Sequence, residues 1–161
     1  MFRIRTIQAQ DNSAIAAIIR KVSAEFGLAA ESGFAVADPI LDNLYEVYTQ
    51  HNSQYWVIEN EQGTILGGGG LSPLKGSDDI LEIQKMYFLA ELRGHGFAAK
   101  ILEKCFEFAR NNQFQACYLE TTASLGQAVK LYEKKGFKHL EAPKGNTGHS
   151  QACEIWMLKN V

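Results

Sequence analysis

Apolar residues recur along the chain with two different periods, and the switches between them mark the elements. Phe2, Ile4 and the residues through Ile7 alternate as a short strand does. Ile15, Ile18, Ile19, Val22 and Phe26 then fall at helical spacing, with Asp11 as the expected cap and Gly27 as the stop. Residues 28–37 carry no clear period and read as a loop. Asp38-Pro39 joins a capping side chain to a proline suited to a first turn, which predicts a helix with Leu41, Leu44, Tyr45 and Tyr48 on one face. Tyr55–Glu59 and Thr64–Gly67 are strands joined by the turn-forming Asn60-Glu61-Gln62-Gly63, a predicted hairpin. Ile80–Leu89 is a third strong strand. From Phe97, the apolar Ala98, Ile101, Leu102, Cys105, Phe106 and Ala109 define an amphipathic helix, and Ala116–Thr121 is the strand after it. Ser124 is the expected cap of a helix running to Lys135 and closed by Gly136. Phe137–Leu140 and Cys153–Leu158 supply two last strands around the polar loop Pro143–Gln151.

The strand–helix–strand run at 80–121 asks for a parallel neighbour, because an antiparallel return would need no helix between the strands. The sequence therefore predicts an α/β (α+β) fold with a mixed sheet of about seven strands and about four helices. A chain of 161 residues reads as one domain, 1–161, with 46% hydrophobic and 21% charged residues placing it among ordinary globular proteins. The net charge of −2 gives no electrostatic footprint for nucleic acid or an anionic membrane. The N-terminus lacks the apolar run of a signal peptide, and no stretch is long enough to span a bilayer. Cys105, Cys117 and Cys153 are odd in number and form no C-x-x-C pair, which points to a reducing cytoplasm rather than a disulfide framework. His139, His149 and Cys153 lack a third ligand at regular spacing, so no metal is expected.

The most informative stretch is Glu91-Leu-Arg-Gly-His-Gly-Phe-Ala98, two glycines between a strand and a helix. Amide donors at a helix N-terminus lack intrahelical partners and sit at the positive end of the macrodipole. Glycine lets the backbone turn tightly and lets an anion approach those amides, while Arg93 adds a positive charge. Neither G-x-G-x-x-G nor G-x-x-x-x-G-K-[ST] is present. Arg93-x-x-Gly96-x-Ala98 instead fits the Q/R-x-x-G-x-G/A signature of the GNAT superfamily of acetyl-CoA-dependent N-acetyltransferases, which the chain resembles over nearly its full length. Ala128-x-x-Leu131-Tyr132-x-x-x-Gly136-Phe137 matches a second signature of that family at the right distance. One departure is Leu125, where the family often carries an asparagine that contacts the cofactor.

The resemblance implies a mostly antiparallel central sheet and acetyl-CoA as cofactor. It implies that Arg93, Gly94, His95, Gly96, Phe97 and Ala98 cradle the pyrophosphate of coenzyme A, and that Met86, Tyr87 and Phe88 pair main chain to main chain with pantetheine between splayed strands. A backbone N–H near Phe88 is then the expected oxyanion donor. Glu82 lies where many members keep a general base, and Tyr132 where a tyrosine protonates the departing sulfur. The residue chemistry also admits an ion-paired strand glutamate at Glu82 and a core aromatic at Tyr132. Gly67-Gly-Gly-Gly70 in a predicted central strand suggests a bulge or a close approach by ligand or backbone, against a plain turn. Phe34 and Tyr45, with Glu82, are the expected acceptor-binding residues. The leading function is acetyl transfer to a primary amine of a small molecule or protein by direct attack on the thioester, and the resemblance is compatible with a homodimer. The alternative is a non-catalytic acyl-CoA-binding sensor that keeps the loop without turnover.

Overall fold

The computed structural model describes residues 1–28, 38–148, 150 and 152–161. The strands are β1 (Arg3–Thr6), β2 (Gln54–Glu59), β3 (Ile65–Pro73), β4 (Ile80–Phe88), β5 (Ala116–Thr121), β6 (Lys138–His139) and β7 (Ile155–Asn160). The helices are α1 (Asn12–Glu25), α2 (Leu44–Tyr48), α3 (Phe97–Asn111) and α4 (Gly126–Lys134). All seven strands form one sheet in the order β1-β2-β3-β4-β5-β7-β6. Its pairs are antiparallel except β4 with β5, which α3 connects. The predicted mixed α/β architecture is observed, hairpin and parallel crossover included.

Strand alternation divides the core into two layers. In β2, Trp56 and Ile58 belong to the apolar layer that also holds Ile101, Leu102, Cys105 and Phe106 of α3 and Tyr132 of α4. Tyr55 and Val57 point to the other face, against Ile15, Ile19 and Val22 of α1 and Leu44 and Tyr48 of α2. β2 is buried on both faces, which is why it reads as a nearly unbroken apolar run.

The glycines of β3 have a steric reason. A Cβ on Gly68 would stand 2.6 Å from the Tyr55 ring and 2.7 Å from Trp56 O, and one on Gly67 would stand 2.5 Å from the Phe88 ring. The side-chain-free strand lets Tyr55 lie across it and donate its hydroxyl to Lys85 O on β4 at 2.7 Å. There the β3–β4 register slips, with Gly68 opposite Tyr87 and Gly70 opposite Gln84. Lys85 and Met86 thus face Gly69 alone, a β-bulge in which Lys85 takes φ +52°. Leu81 and Ile83 before it and Met86 and Phe88 after it all face the α3 layer, which strict alternation would forbid. Close approach by a neighbouring residue, together with a bulge, therefore explains the run.

Three predicted caps are corrected. Asp11 does not cap α1 through its side chain: a 3-10 turn, Ala9–Asp11, precedes the helix, and the carboxylate accepts from Gln8 N (2.7 Å) and from both terminal nitrogens of Arg5 (2.7 and 2.9 Å). Asp38 accepts from Ile40 N (3.0 Å) and begins a turn, followed by the 3-10 turn Leu41–Asn43 and a helix of five residues. The Ser124 cap is likewise replaced, since Glu154 accepts from Thr122 Oγ1 (2.8 Å) and Ala123 N (2.7 Å) ahead of α4. The Asp11 and Ser124 caps yield to partners brought in by the fold, Arg5 and Glu154, whereas Asp38 keeps a local bond but starts a turn instead of a helix. Gly68→Ala is expected to destabilise the protein by about 1–3 kcal/mol, because neither the Tyr55 ring nor the Trp56 carbonyl can yield, with denaturant unfolding as the measurement.

Candidate active site

β4 and β5 pair at Ile80–Ala116, Leu81–Cys117 and Glu82–Tyr118 and then part, while β4 stays with β3 as far as Phe88. The resulting cleft is lined by residues 82–87 on one wall and residues 119–122 on the other, and closed by Leu28, Leu125, Tyr132 and Cys153. Glu82 and Tyr132, fifty residues apart in sequence, share it.

Glu82 is only 6% exposed and faces the α1–α2 side. Its Oε1 accepts from Gln84 Nε2 at 2.6 Å, and the Gln84 amide oxygen in turn accepts from Tyr48 Oη (2.7 Å) and Ser72 Oγ (3.2 Å). Two donors on that oxygen fix the amide so that its nitrogen faces Glu82. Burial pushes the Glu82 carboxyl up from 4.5 to about 7, with the Gln84 hydrogen bond opposing the rise and negative Glu120 adding to it. Glu82 is therefore a carboxylate that can hold or release a proton near neutrality, and no cation is bonded to it among the described residues.

Tyr132 is 8% exposed, and its ring meets Phe137 edge-on at 5.8 Å. Burial raises its phenol well above the usual tyrosine value, so it keeps its proton. Its hydroxyl bonds no other described residue and lies on the cleft, where Phe137 serves the ring and leaves the oxygen for a ligand.

Gly94 and Gly96 take φ +82° and +79°, and a Cβ on either would meet nothing within 4 Å. Glycine is needed there for the left-handed backbone, and the loop surface is open. Gly96 caps α3, and the amides of Gly94 through Ala99 have no intramolecular acceptor among the described residues, Lys100 N to Gly96 O being the first bond of the turn. That is an anion cradle suited to a pyrophosphate. The Arg93 guanidinium turns toward α1: it donates to both oxygens of Glu25, rests 5.1 Å from the centre of the Phe26 ring, and places Nε 3.0 Å from Phe88 O. Arg93 thus ties the loop to α1 and β4, and the loop's unpaired amides are the groups left to meet an anion. Leu89 N bonds Leu66 O at 2.9 Å, so Phe88 opposite Gly67 is a non-hydrogen-bonded pair whose amide and carbonyl face away from β3, toward the splay.

Of the other predicted site residues, Met86 and Tyr87 line the cleft, while Phe88 packs on the α3 core. Phe97 is buried under the loop, Ala98 is half-buried, and His95 is exposed with its ring 5.4 Å from Phe2. Tyr45 is half-buried against the α1–α2 core and does not line the cleft; Phe34 and His149 lie outside the described residues. Leu125 lines the cleft where the family often has asparagine. Sequence reading missed Gln84, Glu120 and Cys153. Glu120 was reachable, since Tyr118 and Glu120 share a strand face with Glu82 once the parallel register is known. Cys153 is buried, which pushes its thiol up to about 12 and leaves it unreactive at neutral pH.

The raised Glu82 value sets a sign for stability. Between 4.5 and about 7 the folded state holds a proton that the unfolded chain has lost, so stability falls as pH rises through that window. Glu82→Gln removes this penalty, and its stability relative to the unmodified protein is expected to rise by on the order of 2–3 kcal/mol from about pH 4 to about pH 8, read from denaturant melts at both.

Residues 20–137 match the acetyltransferase (GNAT) family. The chain is 52% identical over 159 residues to the N-acetyltransferase YjgM of Escherichia coli (strain K12), covering 98% of this chain and 94% of that protein. It is 34% identical over 93 residues to N-acetylaspartate synthetase of Xenopus tropicalis, covering 56% of this chain and 33% of that one. In fold it resembles a GNAT acetyltransferase from Staphylococcus aureus Mu50, with TM-score 0.82, 19% identity and 99% of each chain covered. It also resembles a ribosomal-protein-alanine N-acetyltransferase from Brucella melitensis, with TM-score 0.75, 21% identity and 99% of each chain. With a splayed sheet, a glycine-bearing amide loop and a match spanning most of its length, the chain belongs to the GNAT acetyltransferase family and is an acyltransferase enzyme.

Proposed function

We propose that this enzyme transfers an acetyl group from acetyl-CoA to a primary amine of a small molecule or protein by direct attack on the thioester. The observation that carries the reading is the meeting of Glu82 and Tyr132 in the cleft between β4 and β5, beside the open amides of residues 94–99. Family members use acetyl- or acyl-CoA, and acetyl-CoA supplies the activated thioester. Residues 94–98 hold its pyrophosphate through backbone amides, and the free edge of β4 at residues 86–88 receives its amide-bearing arm as an added strand.

Glu82 accepts the proton of the incoming ammonium, through a water where the amine does not reach it. Its value near 7 is matched to that task, as a glutamate at 4.5 would be too weak a base. The Phe88 amide, turned away from β3, donates to the oxygen on which negative charge develops. Tyr132, protonated at every physiological pH, gives its proton to the departing sulfur. A cytoplasmic setting fits three free, buried thiols, and among the described residues no helix is long and apolar enough to cross a membrane.

Calorimetric titration with acetyl-CoA and with desulfo-coenzyme A tests the cradle. Both are expected to bind the unmodified protein and to lose measurable binding to Gly96→Glu; failure of the unmodified protein to bind either would sink the reading. Thiol release over a panel of amines tests the chemistry. Tyr132→Phe is expected to lower kcat by about 100-fold or more with the acetyl-CoA Kd unchanged. Equal turnover in that variant would remove Tyr132 from the mechanism.

A further inference from the structure

Glu120 is a carboxylate that the mechanism above does not use. It lines the cleft from β5, across the splay from Glu82, and among the described residues its oxygens are held by hydroxyls alone. Thr147 donates to Oε1 at 2.6 Å, and Tyr118 and Ser150 donate to Oε2 at 2.6 and 2.7 Å. No Lys, Arg or His pairs with it among the described residues. Thr147 and Ser150 belong to the segment between β6 and β7, so a single side chain on the sheet anchors two points of it. The same segment is fastened by Lys144 N to Tyr118 Oη (3.0 Å) and by Asn146 N to Lys75 O (2.9 Å) on the β3–β4 turn. Gly145, at φ +64°, passes so close to Leu74 and Lys75 that no Cβ would fit. Residues 144–147 thereby span from β5 to the β3–β4 turn on the sheet face that carries Glu82.

We propose that Glu120 is a positioning residue for acyl transfer: it latches the segment between β6 and β7 across the Glu82 end of the cleft and sets the charge that Glu82 faces there. This rests on the reading of Glu82 as the proton acceptor. Hydroxyl donors leave the negative charge of Glu120 uncompensated, where a lysine would have cancelled it. Among the described residues the groups facing Glu82 are Gln84 and Lys85 on β4, Lys75 on the β3–β4 turn, Tyr48 on α2, Tyr118 and Glu120 on β5, and Cys153 before β7. Lys85 is itself paired with Asp38 at 3.0 Å, which blunts its pull on Glu82. Glu120 is then the negative group that favours the protonated form of Glu82 from across the cleft, consistent with its place among the causes of the raised Glu82 value.

The test uses the full chain labelled with side-chain carboxyl 13C-glutamate, the Glu82 signal being assigned by its loss in Glu82→Gln. Glu120→Gln is expected to lower the Glu82 titration midpoint by about half a pH unit or more, because a like charge is removed. Hydrogen exchange in peptides covering residues 141–148 is expected to quicken by about tenfold in the same variant, since an amide side chain offers fewer acceptor sites to the three hydroxyls. The double variant Thr147→Val, Ser150→Ala keeps Glu120 and is expected to quicken that exchange while leaving the Glu82 midpoint in place. Unmodified exchange rates in both variants would overturn the latch. An unmoved midpoint in Glu120→Gln, or an equal fall in the double variant, would overturn the electrostatic role. None of these readouts needs turnover, so an enzyme that released no thiol would defeat the proposed function without touching this result.

Discussion

The arrangement of the site depends on the bulge at Lys85 and Met86. Two residues of β4 face one glycine of β3, the strand gains a local bend, and the facing direction of every later side chain is shifted by one. Without it, Met86 and Phe88 would leave the α3 layer and Tyr87 would leave the α1 layer. The bulge is held by a hydroxyl from two strands away. Tyr55 reaches Lys85 O only because the intervening strand carries glycine, and Tyr48 of α2 meets the Tyr55 ring at a tilt, 5.1 Å between centres. Strand, helix and glycine run thus converge on one backbone carbonyl, and the parting of β4 from β5 begins three residues before it.

A cleft made by parting strands differs from a surface groove in its electrostatics. Its walls are sheet interior, so groups facing it are desolvated even though the space between them is open. That environment moves Glu82 and Tyr132 in the same direction with opposite chemical results. The glutamate rises to where it can exchange a proton near neutrality, whereas the tyrosine rises out of reach of ionisation and remains a donor. One physical cause, loss of water around an acid, leaves a carboxyl that can take up a proton near neutrality beside a phenol that keeps its own.

How far the site was legible follows from what each residue answers to. The amide loop was visible because its glycines satisfy a local demand, positive φ at a strand-to-helix corner, that no other neighbour can relieve. Tyr132 was visible through its spacing to Gly136 and Phe137, just past the end of α4. Glu120 and Cys153 were not, because they join the site through strand register and a returning loop, whereas Gln84 lies two residues along the same strand from Glu82 and its role shows only in the bonds it takes from Tyr48 and Ser72. The cap assignments failed for a related reason. Asp11 and Asp38 are good caps in isolation, but Arg5 is a stronger partner for Asp11, and Lys85 reaches Asp38 from β4 at 3.0 Å.

The sequence by itself determined the elements, the mixed sheet with its parallel crossover, and the glycine loop at the start of α3, because hydrophobic period and turn chemistry act over a few residues. Tertiary structure alone decided that Arg93 would tie the loop to Glu25, that the glycines of β3 would make room for a ring rather than a ligand, and that Glu82 would face Glu120. These outcomes turn on which strand lies beside which and in what register. Such choices are settled by the packing of both faces of the sheet at once, and no short stretch of the chain contains that information.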